Sequence, residues 1–288
     1  MTEVYVQAFL DPDSETFSYV VYDAIERDAV IIDPVLDFDY KSGRTHTTGA
    51  QRLVDFVKEH QLRVAWVLET HAHADHLSAA PFIQAEVGGK LGIGEHIRDV
   101  QAIFKDVYNL EKEFLPNGHQ FDHLFTDGEQ FHVGRMQFRV MHTPGHTPAD
   151  VCFVVNERMI FVGDTLFMPD VGTARCDFPG GNAATLYQSI QQILALPPNT
   201  EIYICHDYPP AGRDYQYRTT VAAQREQNIH VRSEISAAEF VAMREARDAT
   251  LPMPRLILPA IQVNIRAGHF PPPDVDGQIY LKLPINRL

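Results

Sequence analysis

Short apolar runs separated by polar breaks recur along the chain, and stretches with helical spacing fall between them. Residues 17–22 and 29–32 read as two paired strands with a polar turn over 23–28. Asp33-Pro34 ends the second, because proline cannot donate to a strand ladder. Residues 37–48 are polar, include Gly43 and lack an apolar period, so a loop is expected there, long enough to border a site. Ala50, Leu53, Val54 and Val57 keep the i, i+3, i+4, i+7 spacing of a helix, and residues 64–68 form a buried-strand pattern. This ββαβ opening implies a sheet with helices packed outside it.

The pattern continues with Ser78 as a helix N-cap, Pro81 in the first turn, a short strand at 90–93 and a second amphipathic helix on Ile97, Val100, Phe104 and Val107. Residues 117–127 read as a loop, and His119 and His123 as loop histidines. The second half repeats the alternation: strands at 130–133, 136–141, 151–155 and 159–162, a turn at 156–158, a helix from Asn182 carrying Leu186, Ile190 and Leu194, and a strand at 201–205. Two sheets with helices outside follow from this order.

From Asp207 the composition shifts. Pro209, Pro210 and Gly212 mark a loop, and Ser236 with Glu239 forms a capping box opening a helix to about Asp248. Residues 256–258 and 261–265 are too apolar for a free linker, despite Pro252, Pro254, Pro259 and the run 271–273. Residues 207–288 are therefore expected to pack as a C-terminal helix and proline-rich tail over the sandwich edge near the site, within one domain spanning 1–288.

Composition narrows the function. Hydrophobic residues at 45% and charged residues at 22% are ordinary for a globular protein with a sizeable core. A net charge of -14 argues against nucleic acid or an anionic membrane as partner. No run approaches the ~18 apolar residues of a membrane span. The start of the chain, residues 1–5, has neither a basic leader nor an apolar signal core, and Cys152, Cys176 and Cys205 have no disulfide-framework spacing. The cytoplasm is the expected compartment. All three cysteines read as buried residues rather than reactive thiols.

The chemistry concentrates at residues 70–76, Thr-His-Ala-His-Ala-Asp-His, directly after the buried strand. His71 and His73 project to one side in extended chain, with Asp75 and His76 following as it turns. Imidazoles with a carboxylate suit zinc or iron. His146, Asp164 and His206 each follow another strand-like run and complete a candidate ligand set. His142 is read as a packing residue.

These motifs resemble the metallo-β-lactamase fold superfamily: the His-x-His-x-Asp-His stretch, 141–147, 161–165 and 205–208 occur in family order. That resemblance implies an αββα sandwich. Residues 172–178 with His206-Asp207-Tyr208 are similar to the persulfide dioxygenase branch, in particular its bacterial members related to β-lactamase-hydrolase-like proteins. The resemblance implies an iron-dependent dioxygenase that oxidises glutathione persulfide with O2 to sulfite and glutathione. One iron(II) per chain would be held by His71, His146 and Asp164, a facial triad leaving open positions. His73, Asp75, His76 and His206 would be hydrogen-bonding groups around it. Arg175 and Tyr208 align with glutathione contacts in related thioesterases of this fold, and Arg213 and Arg218 are further candidates near them in sequence. The alternative is a hydroxyacylglutathione hydrolase-like thioesterase with two zinc ions, since every ligand position of that class is filled too. A β-lactamase and a non-catalytic regulator fit less well: no leader is expected, and no basic DNA-reading helix appears. Plant and animal persulfide dioxygenases resemble 264–268 but carry a cysteine where this chain has Ala267, so no role for that thiol transfers. A homodimer is one arrangement open to the chain.

Overall fold

A computed structural model describes residues 3–287. Met1 and Thr2, which begin the stretch read as lacking a leader, lie outside the described residues, as does Leu288.

The first half contains β1 (Val4–Asp11), β2 (Thr16–Asp23), β3 (Asp28–Ile32), β4 (Val35–Asp39), β5 (Arg44–His46), α1 (Thr48–Glu59), β6 (Arg63–Leu68), β7 (Leu77–Ser78), α2 (Ala80–Val87), β8 (Lys90–Gly94), α3 (Ile97–Val107) and β9 (His123–Phe125). The second contains β10 (Gln130–Val133), β11 (Met136–His142), β12 (Val151–Val155), β13 (Met159–Phe161), α4 (Ala183–Leu194), β14 (Glu201–Tyr203), β15 (Arg218–Thr220), α5 (Val221–Gln227), α6 (Ala237–Asp248) and α7 (Ile257–Asn264). One sheet runs β1-β2-β3-β6-β8-β9 and the other β10-β11-β12-β13-β14-β15, the expected αββα sandwich.

Period-2 alternation assigns each strand side chain to a layer. Tyr19, Val21, Val30 and Ile32 face Phe138, Val140, Phe153 and Phe161 of the other sheet. Their neighbours Val20 and Ile31 point the other way, onto Leu53, Val54 and Val57 of α1. On the far side, Val154, Ile160 and Ile202 pack against Leu186, Ile190 and Ile193 of α4. Asn182 caps α4 by accepting from the Thr185 amide, and the Ser236–Glu239 capping box opens α6.

Three sequence readings change. Residues 37–48 are not a loop, because β4 and β5 pair there as a hairpin, Asp37 opposite His46. Its side chains are mostly exposed, so no apolar alternation betrayed it. Ser78 is not the N-cap of α2; Ala79 holds that position, although the Ser78 hydroxyl accepts from the Ala80 amide. His123 lies on β9 rather than in a loop and bonds to Glu129. Strands β1 and β15 and helix α5 add elements that the hydrophobic pattern did not announce.

The C-terminal segment packs on the first half. Ile257, Ile261, Val263 and Ile265 join the core of α1, α2 and α3, and Gln101 donates to the Ile265 carbonyl. No described helix is long and apolar enough to cross a membrane.

Candidate metal centre

Every candidate ligand sits where a strand gives out: His71, His73, Asp75 and His76 after β6, His146 after β11, Asp164 after β13 and His206 after β14. Two close approaches draw these loops together. Gly163, at φ +50°, abuts Thr70, where a Cβ would lie 2.7 Å from the hydroxyl. Gly145, at φ +143°, lies on the backbone of Leu186, where a Cβ would come within 2.3 Å. Glycine alone tolerates both the left-handed conformation and the contact.

The histidines are oriented through the nitrogen that does not face the centre. His71 Nδ1–H donates to Thr70 Oγ1 (3.0 Å), because that hydroxyl is itself a donor to Asp33 (2.9 Å). His73 Nε2 is 3.1 Å from Asp33 and 3.3 Å from Glu69. His76 Nδ1 reaches the Leu77 carbonyl, His146 Nδ1 the Arg175 carbonyl at 2.8 Å, and His206 Nδ1 the Thr16 hydroxyl at 3.2 Å. For His71, His76 and His146 the bond fixes a tautomer and leaves the other nitrogen as a lone pair, whereas the carboxylates beside His73 and His206 favour their protonated forms. His71 Nε2, His73 Nδ1, His76 Nε2, His206 Nε2 and Asp164 Oδ1 are buried without a hydrogen-bond partner. Buried polar atoms rarely stay unsatisfied, so this cluster of orphans fits a bound cation.

The atoms converge. Asp164 Oδ2 lies 3.8 Å from His71 Nε2 and 3.6 Å from His146 Nε2, and these three residues place their donors within 4.8 Å of one another. His206 Nε2 is 3.3 Å from both Asp164 and Asp75. His73, Asp75 and His76 form a second convergent group, and Asp33, Glu69 and His73 a third. Burial and the neighbouring imidazoles push His71 well below its ordinary value and His76 to about 4. Burial would lower His73 too, but Asp33 and Glu69 outweigh it and raise it. Burial disfavours an ionised Asp75, yet His206 and His76 pull it down to about 2.

The C-terminal segment holds the metal loop directly. Asn264, at the end of α7, donates from Nδ2 to the carbonyls of His73 and His76, both 2.8 Å, and accepts from the Ser78 amide at 2.8 Å. Sequence reasoning did not single out Asn264; its position just before the Ile-Arg-Ala-Gly run carried no ligand chemistry to mark it.

A pocket of about 570 Å³ opens on the triad and is lined by Asp75, His146, Asp164, Phe167, Arg175 and Tyr208 among others. Tyr208 stacks on His206 and meets Phe167 edge-on. The predicted arginines divide. Arg175 reaches the pocket, but its guanidinium forms a bidentate pair with Asp177 (2.5 and 2.6 Å) and donates to the Pro252 carbonyl. Arg213 is committed to Asp207 and Asp170, and Arg218 pairs with Glu201; neither lines the pocket. The sequence reading missed Arg244, Arg247 and Arg255, which do line it. Arg244 is buried against Asp248, and Arg255 contacts Asp13, whereas Arg247 is exposed and has no carboxylate partner among the described residues. All three come from the helix α6 and its exit, distant in sequence from the metal motifs. His142 lies outside the cluster, bonded to the Pro148 carbonyl and stacked on His96. The thiols of Cys152, Cys176 and Cys205 are buried and their pKa values raised by that burial.

Residues 12–206 match the model of the metallo-beta-lactamase superfamily. The chain belongs to this superfamily. Its relatives within it carry two kinds of name. A protein named probable metallo-hydrolase in Burkholderia pseudomallei (strain 1710b) is 50% identical over 292 residues, spanning 98% of this chain and 99% of that one. The mitochondrial persulfide dioxygenase ETHE1 of Bos taurus is 32% identical over 272 residues, spanning 94% and 91%. Among solved structures, ETHE1 from Myxococcus xanthus superposes with a TM-score of 0.72 at 28% identity, covering 92% of this chain and all of that one. Metal binding accords with membership and with the orphaned donors.

Proposed function

We propose that the protein is a persulfide dioxygenase, holding one iron(II) through His71, His146 and Asp164 and oxidising glutathione persulfide. The reaction balances as GSSH + O2 + H2O → GSH + sulfite + two protons, with four electrons passing from the outer sulfur to dioxygen. The observation that carries the reading is the convergence of these three residues as two imidazoles and one carboxylate, with His146 and Asp164 in the pocket wall. That donor set leaves positions free for a thiolate and a gas. Iron bound there supplies the redox couple that closed-shell zinc lacks. The similarity to persulfide dioxygenases of cattle and Myxococcus xanthus supports the same branch.

The protein's own residues orient and bind. Thr70 and the Arg175 carbonyl fix the two ligating imidazoles in the tautomer that presents Nε2. His206 borders the carboxylate ligand on its other oxygen, and Asp75 faces the same imidazole nitrogen. Phe167 and Tyr208 wall the pocket and limit water near the reacting sulfur. Arg247, free of any described ion pair, binds a substrate carboxylate, while Arg175, neutralised by Asp177, shapes the wall beside it.

A second reading has its own support. The orphaned nitrogens of His76 and His206 could hold a second metal beside Asp75 and Asp164, as in a two-zinc thioesterase of the hydroxyacylglutathione hydrolase type. The hydrolase name of the Burkholderia relative accords with it. Anaerobic purification, elemental analysis and oxygen-uptake assay separate the two. About one iron per chain with persulfide-dependent uptake is expected; two zincs with thioester hydrolysis and no uptake would replace the dioxygenase reading.

A further inference from the structure

His146 faces two cavities. Besides the cation-lined pocket, a second one of about 320 Å³ lies against it, lined by Val107, Phe178, Met253 and Ile257. The two share Ala74, His146, Arg175 and Pro254 in their walls. Arg175 thus belongs to the partition, and its bond to the Pro252 carbonyl fastens the partition to the segment leading into α7. Of the charged groups at the second cavity, Arg175 and Asp177 neutralise each other, and the exposed Arg287 donates to the Asp106 carbonyl.

The two cavities therefore differ in what they admit. The larger presents five carboxylates and four arginines, of which Arg247 alone has no described ion pair, and suits a polar molecule with an anionic group. The smaller is walled mainly by apolar side chains, so a charged ligand would lose hydration with only the exposed Arg287 to meet it, whereas an uncharged apolar molecule loses little. A substrate seated in the large pocket also covers the approach to the triad from that side, so a second reactant needs another way to His146. We propose that the smaller cavity admits and holds dioxygen, the neutral co-substrate of the dioxygenase reading, on which this inference rests. Arg175 then acts as a partition post that keeps the anion and the gas in separate compartments.

Xenon, which occupies dry apolar cavities, probes the site without turnover. Crystals of the zinc-loaded protein under xenon pressure are expected to show the gas beside Val107, Phe178 and Met253. Met253→Trp, at an exposed rim position, and Val107→Trp, on the surface-facing part of α3, should each abolish that occupancy. In the iron enzyme both should raise the KM for dioxygen roughly threefold or more, with the KM for persulfide and the iron content unchanged. An empty cavity under xenon, or an unchanged dioxygen KM in both variants of an enzyme that does consume oxygen, would overturn the assignment. No persulfide-dependent uptake by the unaltered protein would instead overturn the dioxygenase reading, and the dioxygen assignment with it.

Discussion

On the pocket side of the cluster, His146 and Asp164 line a cavity, and His71 Nε2 and Asp164 Oδ1 stand without a hydrogen-bond partner. On the far side, His73 is wedged between Asp33 and Glu69, all three buried, with Ser78 bonded to Glu69 and Thr70 to Asp33. Both groups are imidazole with carboxylate. What separates them is the destination of the carboxylate. Asp164 turns toward solvent-accessible space and keeps an oxygen free, whereas Asp33 spends its oxygens on the Thr70 amide, the Thr70 hydroxyl and His73. The first arrangement can exchange partners and so can bind and react. In the second the carboxylate of Asp33 is saturated, although His73 Nδ1 and Glu69 Oε2 keep no hydrogen-bond partner, and its work is to hold the loop that carries the first.

The largest effects should come from the open side. His146→Ala and Asp164→Ala are each expected to abolish metal binding and oxygen uptake, read by elemental analysis and an oxygen electrode. His206→Ala should retain most of the iron; loss as complete as in His146→Ala would favour a dinuclear site and erase the distinction between ligand and neighbour. On the saturated side, Asp33→Ala strands the Thr70 groups and leaves His73 with Glu69 alone. A destabilisation of about 3–5 kcal/mol is expected in urea titrations of the metal-free protein, as for other broken buried charge networks.

Proton titration should set two neighbouring imidazoles, His76 and His73, apart by sign. The folded pKa of His76, about 4, is below its ordinary 6.5, so its contribution to metal-free stability is present above 6.5 and lost as pH falls toward 4. His73 is raised, so its contribution is full below 6.5 and lost as pH rises through its folded value. His76→Gln should flatten the acid limb of the stability profile and His73→Gln the alkaline limb, measured by thermal melts across pH. If both substitutions flatten the same limb, the charge difference between the two imidazoles is wrong.

The smallest effect concerns the pocket wall. Arg247→Ala should lower the specificity constant for glutathione persulfide about tenfold to a hundredfold, the loss of one charge-assisted bond of roughly 1.5–3 kcal/mol. Iron content should not change, and a persulfide without a distant carboxylate should lose much less. Arg175→Ala, whose charge is already paired, should discriminate less between the two substrates; a larger selective loss there than in Arg247→Ala would return the carboxylate contact to Arg175.

The sandwich and the gathering of the candidate ligands were legible because they rest on strong local signals. The apolar runs 17–22 and 29–32 pair as strands, and the candidate ligands cluster directly after such runs. The hairpin β4–β5 escaped because pairing alone, without burial, defines it. The arginines escaped for another reason. Arg175 was favoured by its resemblance to a glutathione contact and Arg213 and Arg218 by closeness in sequence, but a guanidinium is available only if no carboxylate claims it, and Asp177, Asp170, Asp207 and Glu201 do so. Arg247 reaches the pocket because its helix-mate Arg244 ties α6 to the Thr173 carbonyl, a tertiary contact with no local signature.

Asn264 also bears on how the protein is made. The donors of residues 71–76 leave the ribosome early, yet the side chain that braces their loop by three hydrogen bonds is translated almost two hundred residues later, at 264. Until α7 docks, the His73 and His76 carbonyls and the Ser78 amide lack that partner, and the loop keeps only the bracing that Asp33 and Glu69 give it. The full set of contacts around the candidate metal loop is thereby deferred until residue 264 has been made. A growing polypeptide does not assemble a finished, reactive centre while most of its sandwich is still missing.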